Sequence, residues 1–438
     1  MEGKRGDETA IVIGADMAGL MAASVLSDFF EQVLVLDKDT LPDAPRVRKG
    51  VPQGAHVHTF LGYAVEAMED LLPGIMSDLY AAGAVQIRRN LDIWFHDASG
   101  PTPIRDVGIL TPSVTRPLLE HVTRQRVLAI PNVSVRDGTR VVRYRHDIKG
   151  QVDGVEVQNG DDLSKVDASL VVDCSGRASA LPRWLDENGY GNVHRQELGI
   201  QMAYTSALFR PPPDLVGDTW ACLMLAIPPG TRAAYLTPVD GDAWLATMYG
   251  RGGDMAPRDA EGFVEWSRGL AHPVIHEKLE RATLISDFSI YKIPKGVWNR
   301  YDKMERFPDG LVPMGEALTS FNPMYGQGIS LSAGQARALR AALSEGTDNL
   351  ASRYFDGCNA LNQVGWSVME TRDLEHDCTT GLRPSDIEKR WLMGAGIRKL
   401  AETDDEVHRL SARVTHLIDP PSVLARSDIV DRALMFVG

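Results

Sequence analysis

The chain has 438 residues, of which 44% are hydrophobic and 24% charged, and its net charge is −13. This length and composition are typical of a folded protein with two or three domains. The acidic excess argues against a nucleic-acid partner and against anionic membrane surfaces, because both bind through clustered Lys and Arg.

The cysteines and the apolar runs predict a cytoplasmic protein with reduced thiols. None of the four cysteines has the CxxC spacing of a zinc ribbon, and no disulfide framework is indicated. The polar opening residues, 1–10, predict no signal peptide. No apolar run approaches the roughly 18 residues of a membrane span.

The first predicted elements form a strand–turn–helix–strand unit. An apolar run at 10–13 breaks at Gly14, a stretch with helical spacing follows, and a second apolar run at 33–36 ends at Asp37. In dinucleotide-binding units, glycines such as Gly14 and Gly19 shape the turn, helix N–H groups bind phosphate and the carboxylate binds a ribose. The pattern alone also suits a small-residue turn in an ordinary βα unit.

The later elements predict a discontinuous α/β (mixed α+β) fold. A Pro-rich loop (38–54) and a helix (63–72) follow the first unit, and β-rich runs occupy 91–112 and 202–249. Short strands at 170–173 and 310–315 are expected to return to the first sheet. From residue 348 onward the pattern is mostly helical. We predict a Rossmann-like domain in pieces, an inserted β-sheet substrate domain and a helical C-terminal region. The predicted boundaries are 8–90, 113–190 and 301–347 for the first, 91–112 and 191–300 for the second, and 348–438 for the third.

A series of motifs runs along nearly the whole chain, in segments 11–37, 46–58, 115–120, 171–177 and 315–328 and at Pro420-Pro421. In order and residue type they resemble the para-hydroxybenzoate-hydroxylase-like flavoprotein monooxygenases, including the polyether-type polyketide epoxidases. The resemblance implies bound FAD on a Rossmann-like FAD-binding domain, with NAD(P)H or an external flavin reductase as electron donor. It assigns cofactor binding to Gly14, Asp16, Gly19, Asp37, Arg46, His56, Arg116, Asp173, Gly176, Glu316, Pro323, Gly326, Gln327 and Gly328.

The glycine-rich loop before the predicted helix 330–343 also suggests a binding role on physical grounds, independently of that resemblance. Backbone N–H groups at the start of this helix would stabilise negative charge on a reduced flavin, as they would an anion. A plain Gly-Pro loop is the alternative.

Three cofactor positions depart from the family pattern. Asp37 stands where Glu is more usual, Glu316 where the family has Asp, and Asp16 where it has Gly or another small residue. A charge at Asp16, at about 5 Å from a phosphate and with an effective dielectric of about 20, costs on the order of 3 kcal/mol per like-charge pair. Its carboxylate would also cap the helix and occupy the N–H groups that the pyrophosphate needs. Two outcomes stay open. In the first, the loop shifts, a water or an arginine compensates for the charge, and FAD binds. In the second, FAD binds weakly or not at all.

No metal site and no catalytic acid or base is predicted from the remaining polar residues. His56 with His58, and His272 with His276, lack a third ligand at metal spacing, so we expect hydrogen-bonded or exposed histidines. The aromatic residues of the β-rich segments either line a substrate pocket or fill the sheet core. They are Trp94, Trp220, Trp244, Phe288 and Tyr291.

The sequence predicts a flavin-dependent monooxygenase that epoxidises or hydroxylates a bulky apolar intermediate, such as a polyketide in antibiotic biosynthesis. No second GxGxxG motif follows, so a separate NAD(P)H domain is not expected. The alternative is a non-redox cyclase on the same scaffold, with FAD structural or lost, that acts by holding its substrate in a reactive conformation. A binding protein without catalysis is a third reading.

Overall fold

The computed structural model describes the chain from Arg5 to Val437, so Met1–Lys4 of the predicted polar opening lie outside the described residues. In chain order the strands are β1 (Arg5–Ile13), β2 (Phe30–Leu36), β3 (Val85–Arg88), β4 (Ile93–Asp97), β5 (Gly100–Pro101), β6 (Leu110–Ser113), β7 (Val133–Arg136), β8 (Arg140–His146), β9 (Val152–Asn159), β10 (Asp162–Asp167), β11 (Leu170–Asp173), β12 (Arg195–Arg210), β13 (Ala221–Met224), β14 (Arg232–Val239), β15 (Ala243–Arg251), β16 (Thr283–Leu284), β17 (Ser289–Asn299), β18 (Leu311–Pro313) and β19 (Thr319–Ser320).

The helices are α1 (Met17–Ser27), α2 (Gly62–Leu71), α3 (Ile75–Ala81), α4 (Arg116–Leu128), α5 (Leu181–Glu187), α6 (Ala260–Trp266), α7 (Val274–Glu280), α8 (Gly328–Ser344), α9 (Leu350–Asp373), α10 (Ile387–Thr403), α11 (Asp405–Thr415) and α12 (Ser427–Leu434). None of them, over the part of the chain that the structure describes, combines the length and apolar character needed to cross a membrane.

A five-stranded parallel sheet in the order β18-β11-β1-β2-β7 forms the first layer. Its central strands are apolar runs because helices cover both faces of a parallel sheet. Helix α1 is buried on all sides, since small residues such as Ala22 and Ala23 let it lie between β1 and α8. The predicted strands 170–173 and 310–315 do return to this sheet, as β11 next to β1 and β18 next to β11, which confirms that prediction.

The second layer is a nine-stranded sheet in the order β19-β17-β12-β15-β14-β13-β4-β5, with β16 paired to β12. Residues alternate between its two faces. One face, here called the inner face, packs its tyrosines and Ile293 in the same core as the parallel sheet. The outer face forms a second core with α6 and α7, which contains Phe209 and Trp244 of the sheet and Phe263 and Trp266 of α6. The large sheet is therefore packed between the core of the parallel sheet and the core that it forms with α6 and α7.

Two features were not predicted from the sequence. Helices α6 and α7 interrupt the β-rich segment and cover the outer face of the large sheet. Strands β8, β9 and β10 form a separate three-stranded antiparallel sheet. The two-residue turn between β9 and β10 is Gly160-Asp161, and Gly at its first position, with a φ of +59°, suits a tight hairpin.

The contact between α1 and the turn before it depends on Gly19. A Cβ on Gly19 would lie 1.8 Å from the carbonyl oxygen of Gly14, which is backbone and cannot move aside cheaply. We expect Gly19→Ala to lower the free energy of unfolding by about 1–3 kcal/mol, measured by urea denaturation. Gly328→Ala is the control, because a Cβ there meets nothing within 4 Å and should change stability by less than about 0.5 kcal/mol. Equal stability of the two variants would contradict the close packing of α1.

Candidate functional site

The turn after β1 is held by two carboxylates of the chain itself. Gly14 has a φ of +101°, which residues with side chains rarely adopt. The amide of Ala15 donates to Asp37 Oδ2 at 2.7 Å. Asp16 caps α1, and its Oδ1 accepts from the N–H groups of Ala18 at 3.1 Å and Gly19 at 3.3 Å. Two N–H groups of the kind that bind a diphosphate in such turns are thus bonded to Asp16, as its capping tendency predicted.

Arg48 ties together the acidic groups around this turn. Its side chain is 7% exposed, and its Nη1 lies 3.0 Å from Asp37 Oδ2 and 3.4 Å from Asp39 Oδ2. Its Nε donates to Glu120 Oε1 of α4 at 2.5 Å. Burial alone would lower the pKa of Arg48, but Asp37 and Glu120 raise it above its ordinary value, so the guanidinium keeps its charge.

The same cluster contains buried cationic N–H groups without a hydrogen-bond partner among the described residues. Nη2 of Arg48 and Nε of Arg116 are buried and form no hydrogen bond with any described residue. Arg116 opens α4 directly after its N-cap, Thr115, and lies 3.8 Å from Glu120. Buried donors are ordinarily satisfied, so these two arginines provide for an anionic group at this position.

Asp16 is held in an unfavourable environment for its charge. Burial raises its pKa to about 6, with Arg116 and Arg48 opposing the shift and Glu120 adding to it. Because the folded pKa lies above the unfolded value, ionised Asp16 costs stability above pH 6, and that cost is relieved as the pH falls towards 4. The residue is therefore close to taking up a proton under mild conditions.

The loop after β11 packs against the turn through its backbone. Asp173 is fully buried and accepts hydrogen bonds from Tyr144 Oη, the Ser175 amide and Ser179 Oγ. Its carboxylate thus fixes the loop. Gly176 has a φ of +83° and faces open space. The cofactor-binding roles of Gly176 and Asp173 stay predictions. The predicted role of Asp173 is indirect, through the loop that its carboxylate holds.

Glu316 and Arg177 face each other beside this loop. Glu316 Oε1 lies 3.9 Å from Arg177 Nη2, and both side chains are about one-third exposed. Nε and Nη2 of Arg177 have no hydrogen-bond partner among the described residues. The neighbouring Gly315 packs against Ala18 of α1, since a Cβ there would lie 2.7 Å from the Ala18 Cβ. Glu316 is thus placed near the turn, since Ala18 belongs to the first turn of α1.

The loop from Asn322 to Gly328, here called the α8 loop, lies on the inner side of the large sheet. It makes a short 3₁₀ turn at Pro323–Tyr325 and reverses at Gly326, whose φ is +67°. Gly328 begins α8, and a Cβ on it would meet nothing within 4 Å. The buried Gln327 Oε1 has no hydrogen-bond partner in the described part of the chain. The start of α8 is therefore open to a ligand.

His56 reaches the inner face from the loop that follows Arg48. Its Nδ1 is 2.7 Å from Ser206 Oγ, which is 2.6 Å from Thr247 Oγ1. Burial lowers the pKa of His56 to about 4, so the ring is neutral at pH 7. Its Nε2 is buried and unpaired within the described chain. Burial and the nearby Arg116 lower the pKa of His58 to about 3.

A buried ion pair supports the α8 loop from behind. Arg251 Nη2 at the end of β15 lies 2.6 Å from Asp373 Oδ1 at the end of α9, with side chains 2% and 0% exposed. Asp373 also accepts from Tyr325 Oη at 2.6 Å and from Asn322 Nδ2 at 2.9 Å. Two elements far apart in the sequence therefore fix the conformation of this loop.

The structure brings most of the predicted residues together. Around the turn lie Gly14, Asp16, Gly19, Asp37 and Arg116, next to the loops of Gly176 and Glu316, and the α8 loop holds Pro323, Gly326, Gln327 and Gly328. Arg46, in contrast, is exposed, and the arginine that reaches Asp37 is Arg48.

Most of the predicted pocket aromatics lie away from this region. Trp244 is in the second core, and Trp94, Trp220 and Phe288 pack against it on the outer face. Tyr291 is on the inner side, its ring 6.1 Å from that of His56. Trp244, Trp94, Trp220 and Phe288 therefore fill or border the sheet core, which is one of the two alternatives that the sequence left open.

Comparison with known structures identifies the fold. The chain is similar to the flavin-dependent brominase Bmp2 (16% identity, 97% of this chain and 99% of that one, TM-score 0.68). It is similar to a flavoprotein/dehydrogenase from Cytophaga hutchinsonii (13%, 98% and 98%, TM-score 0.71) and to p-nitrophenol 4-monooxygenase PnpA from Pseudomonas putida DLL-E4 (17%, 94% and 99%, TM-score 0.66). The fold is that of the FAD-dependent monooxygenases and halogenases, which confirms the predicted fold class.

One curated protein identifies the family within this fold. Protein Rv3254 of Mycobacterium tuberculosis (strain ATCC 25618 / H37Rv) is 31% identical over 470 residues, which cover 99% of this chain and 95% of that protein. The chain belongs to the family of Rv3254. No family model matches it.

Proposed function

We propose that this protein is an FAD-dependent monooxygenase that hydroxylates or epoxidises a bulky apolar molecule, such as a polyketide intermediate. The observation that carries the proposal is the pair of buried arginines, Arg48 and Arg116, whose unpartnered N–H groups lie at a dinucleotide-type turn. The fold of the monooxygenases and halogenases adds to it.

The residues present suit FAD, with Asp16 as the one group that opposes it. Arg48 and Arg116 would hold the diphosphate, and Asp37 the ribose. Glu316 and Arg177 would lie along the ribityl chain, and the open start of α8 at Gly328 would take the flavin ring. The chemistry that bound FAD would supply is the activation of molecular oxygen, once the flavin has been reduced by NAD(P)H or by a flavin reductase.

The chain's own contribution to the reaction is to enclose and orient the substrate. The inner face presents Tyr204 and Tyr291 around His56. Neutral His56, anchored through Ser206, offers its Nε2 as a hydrogen-bonding group for a polar end of the substrate. Burial in this region excludes water from the reacting atoms.

The first test is the visible spectrum of the purified protein, followed by FAD titration at about pH 6, where Asp16 is half protonated. We expect flavin bands or stoichiometric uptake of added FAD. Gly328→Leu should weaken FAD binding at least about tenfold, because its side chain fills the open start of α8, with stability of the apoprotein changed by less than about 0.5 kcal/mol. A protein that takes up no FAD at any pH would exclude the proposal.

A specific observation favours a second function. Asp16 already occupies the N–H groups of Ala18 and Gly19, which suits a scaffold that has lost FAD and acts as a non-redox cyclase. Substrate-dependent oxygen uptake with NADPH and a flavin reductase supports the monooxygenase. Anaerobic conversion of a polyene by the colourless protein supports the cyclase.

A further inference from the structure

Asp16 and a bound diphosphate compete for the same groups of the turn. The Asp16 carboxylate accepts from the Ala18 and Gly19 amides. These amides lie at the first turn of α1, where the positive end of the helix favours an anion. A diphosphate can use them only if the carboxylate turns away from them.

The charged groups around Asp16 determine the protonation state in which its carboxyl group turns away from these amides. The charged and titratable groups that face it come from separate elements. The direct neighbours are Arg48 from the loop after β2, Arg116 and Glu120 from α4, and Cys174 directly after β11. Two further carboxylates lie nearby: Asp37 bonds to the adjoining Ala15, and Glu316 belongs to the loop that packs on Ala18.

The two arginines are shared by several carboxylates before any ligand arrives. Arg48 already contacts Asp37, Asp39 and Glu120. An ionised Asp16 and a diphosphate would therefore compete for the remaining N–H groups of Arg48 and Arg116. A protonated Asp16 removes one negative charge and gains an O–H that can donate to a phosphate oxygen.

We propose that FAD enters this site together with one proton, which Asp16 holds while the cofactor is bound. The inference rests on the proposed function, because it concerns how the same site accepts FAD. It makes Asp16 the residue through which the affinity for the cofactor depends on pH, and explains how an acid is accommodated at this position.

The direction of the pH dependence follows from linkage. Burial raises the pKa of Asp16 to about 6 in the free protein, and a bound diphosphate raises it further. Below that pKa the proton is already present, so affinity is nearly constant. Above it FAD must bring the proton, and affinity falls about tenfold per pH unit until the pKa of the bound form is reached.

The experiment measures FAD affinity by quenching of flavin fluorescence between about pH 6 and pH 8. The wild type should weaken up to about a hundredfold over this range, and Asp16→Asn should bind FAD with little change. Asn has no titrating group and no charge, and its NH₂ group can donate to a phosphate oxygen as the O–H of protonated Asp16 would. Asp28→Asn, at the opposite end of the same helix and exposed, should follow the wild type.

Proton uptake provides a second measurement that needs no variant. Calorimetry of wild-type FAD binding at about pH 7.5, in two buffers of different ionisation enthalpy, should give about one proton per FAD. FAD binding with a flat pH profile and no proton uptake would overturn the inference but leave the proposed function intact. Failure of wild type and Asp16→Asn to bind FAD at every pH would overturn the proposed function itself.

Discussion

Replacement of Arg48 by methionine is expected to lower the free energy of unfolding by about 3–5 kcal/mol and to abolish measurable FAD binding. The guanidinium is buried and bridges Asp37, Asp39 and Glu120. Methionine fills much of the same volume but removes the cation that these three carboxylates share, and Glu120 keeps only its 3.8 Å contacts with Arg116 and Arg124. Urea denaturation at neutral pH and flavin fluorescence measure the two effects.

Arg281→Met is the matched control for this prediction. Arg281 also pairs with an aspartate, Asp214, but both side chains are more than half exposed. Water screens such a pair, so we expect little loss of stability. If Arg48→Met is no more destabilised than Arg281→Met, the acidic groups around the turn do not depend on Arg48. The second change Glu120→Gln, added to Arg48→Met, should restore part of the stability because one of the unpaired charges is gone.

Asp373→Ala is expected to cost a similar amount, about 3–5 kcal/mol, and to loosen the α8 loop. The substitution leaves the charge of Arg251 buried and unpaired, and removes the acceptor of Tyr325 and Asn322. Urea denaturation measures the loss. A lower affinity for FAD than in the wild type should accompany it, since the start of α8 is then held less firmly.

A double substitution distinguishes loss of an ion pair from loss of packing. Arg251→Met in the Asp373→Ala background removes the unpaired charge, so the double variant should be more stable than Asp373→Ala alone. Asp386→Ala serves as control, because its side chain is 53% exposed and its partner Arg390 also pairs with Glu370, so we expect little loss of stability. A double variant less stable than Asp373→Ala would contradict the description of this pair as a buried charge contact.

Local patterns in the sequence predicted the parts of the site that lie within one short segment. The turn, α1 and Asp37 follow one another between β1 and the end of β2, so glycine spacing and apolar runs were sufficient. The cap formed by Asp16 was likewise predictable, because a capping residue bonds to amides two and three positions away.

Contacts between distant segments could not be predicted in this way. Arg46 and Arg48 stand two apart in an irregular loop, so alternation cannot tell which one turns inward; the position of Glu120 on α4 decides it. Asp373 pairs with Arg251 across 122 residues, and nothing near either residue indicates a partner. Buried polar groups of this kind depend on tertiary structure, which one sequence alone does not specify.

The support of the α8 loop from α9 has a consequence for how the protein is made. Tyr325 and Asn322 bond to a carboxylate 48 and 51 residues further along the chain. During synthesis, which proceeds from the N-terminus, the turn after β1 and the parallel strands are complete before this carboxylate has been added. The α8 loop can reach its final hydrogen bonding only once α9 has left the ribosome and folded back. Nascent chains that end before Asp373 should therefore contain the folded turn after β1 and an α8 loop without its final hydrogen bonds.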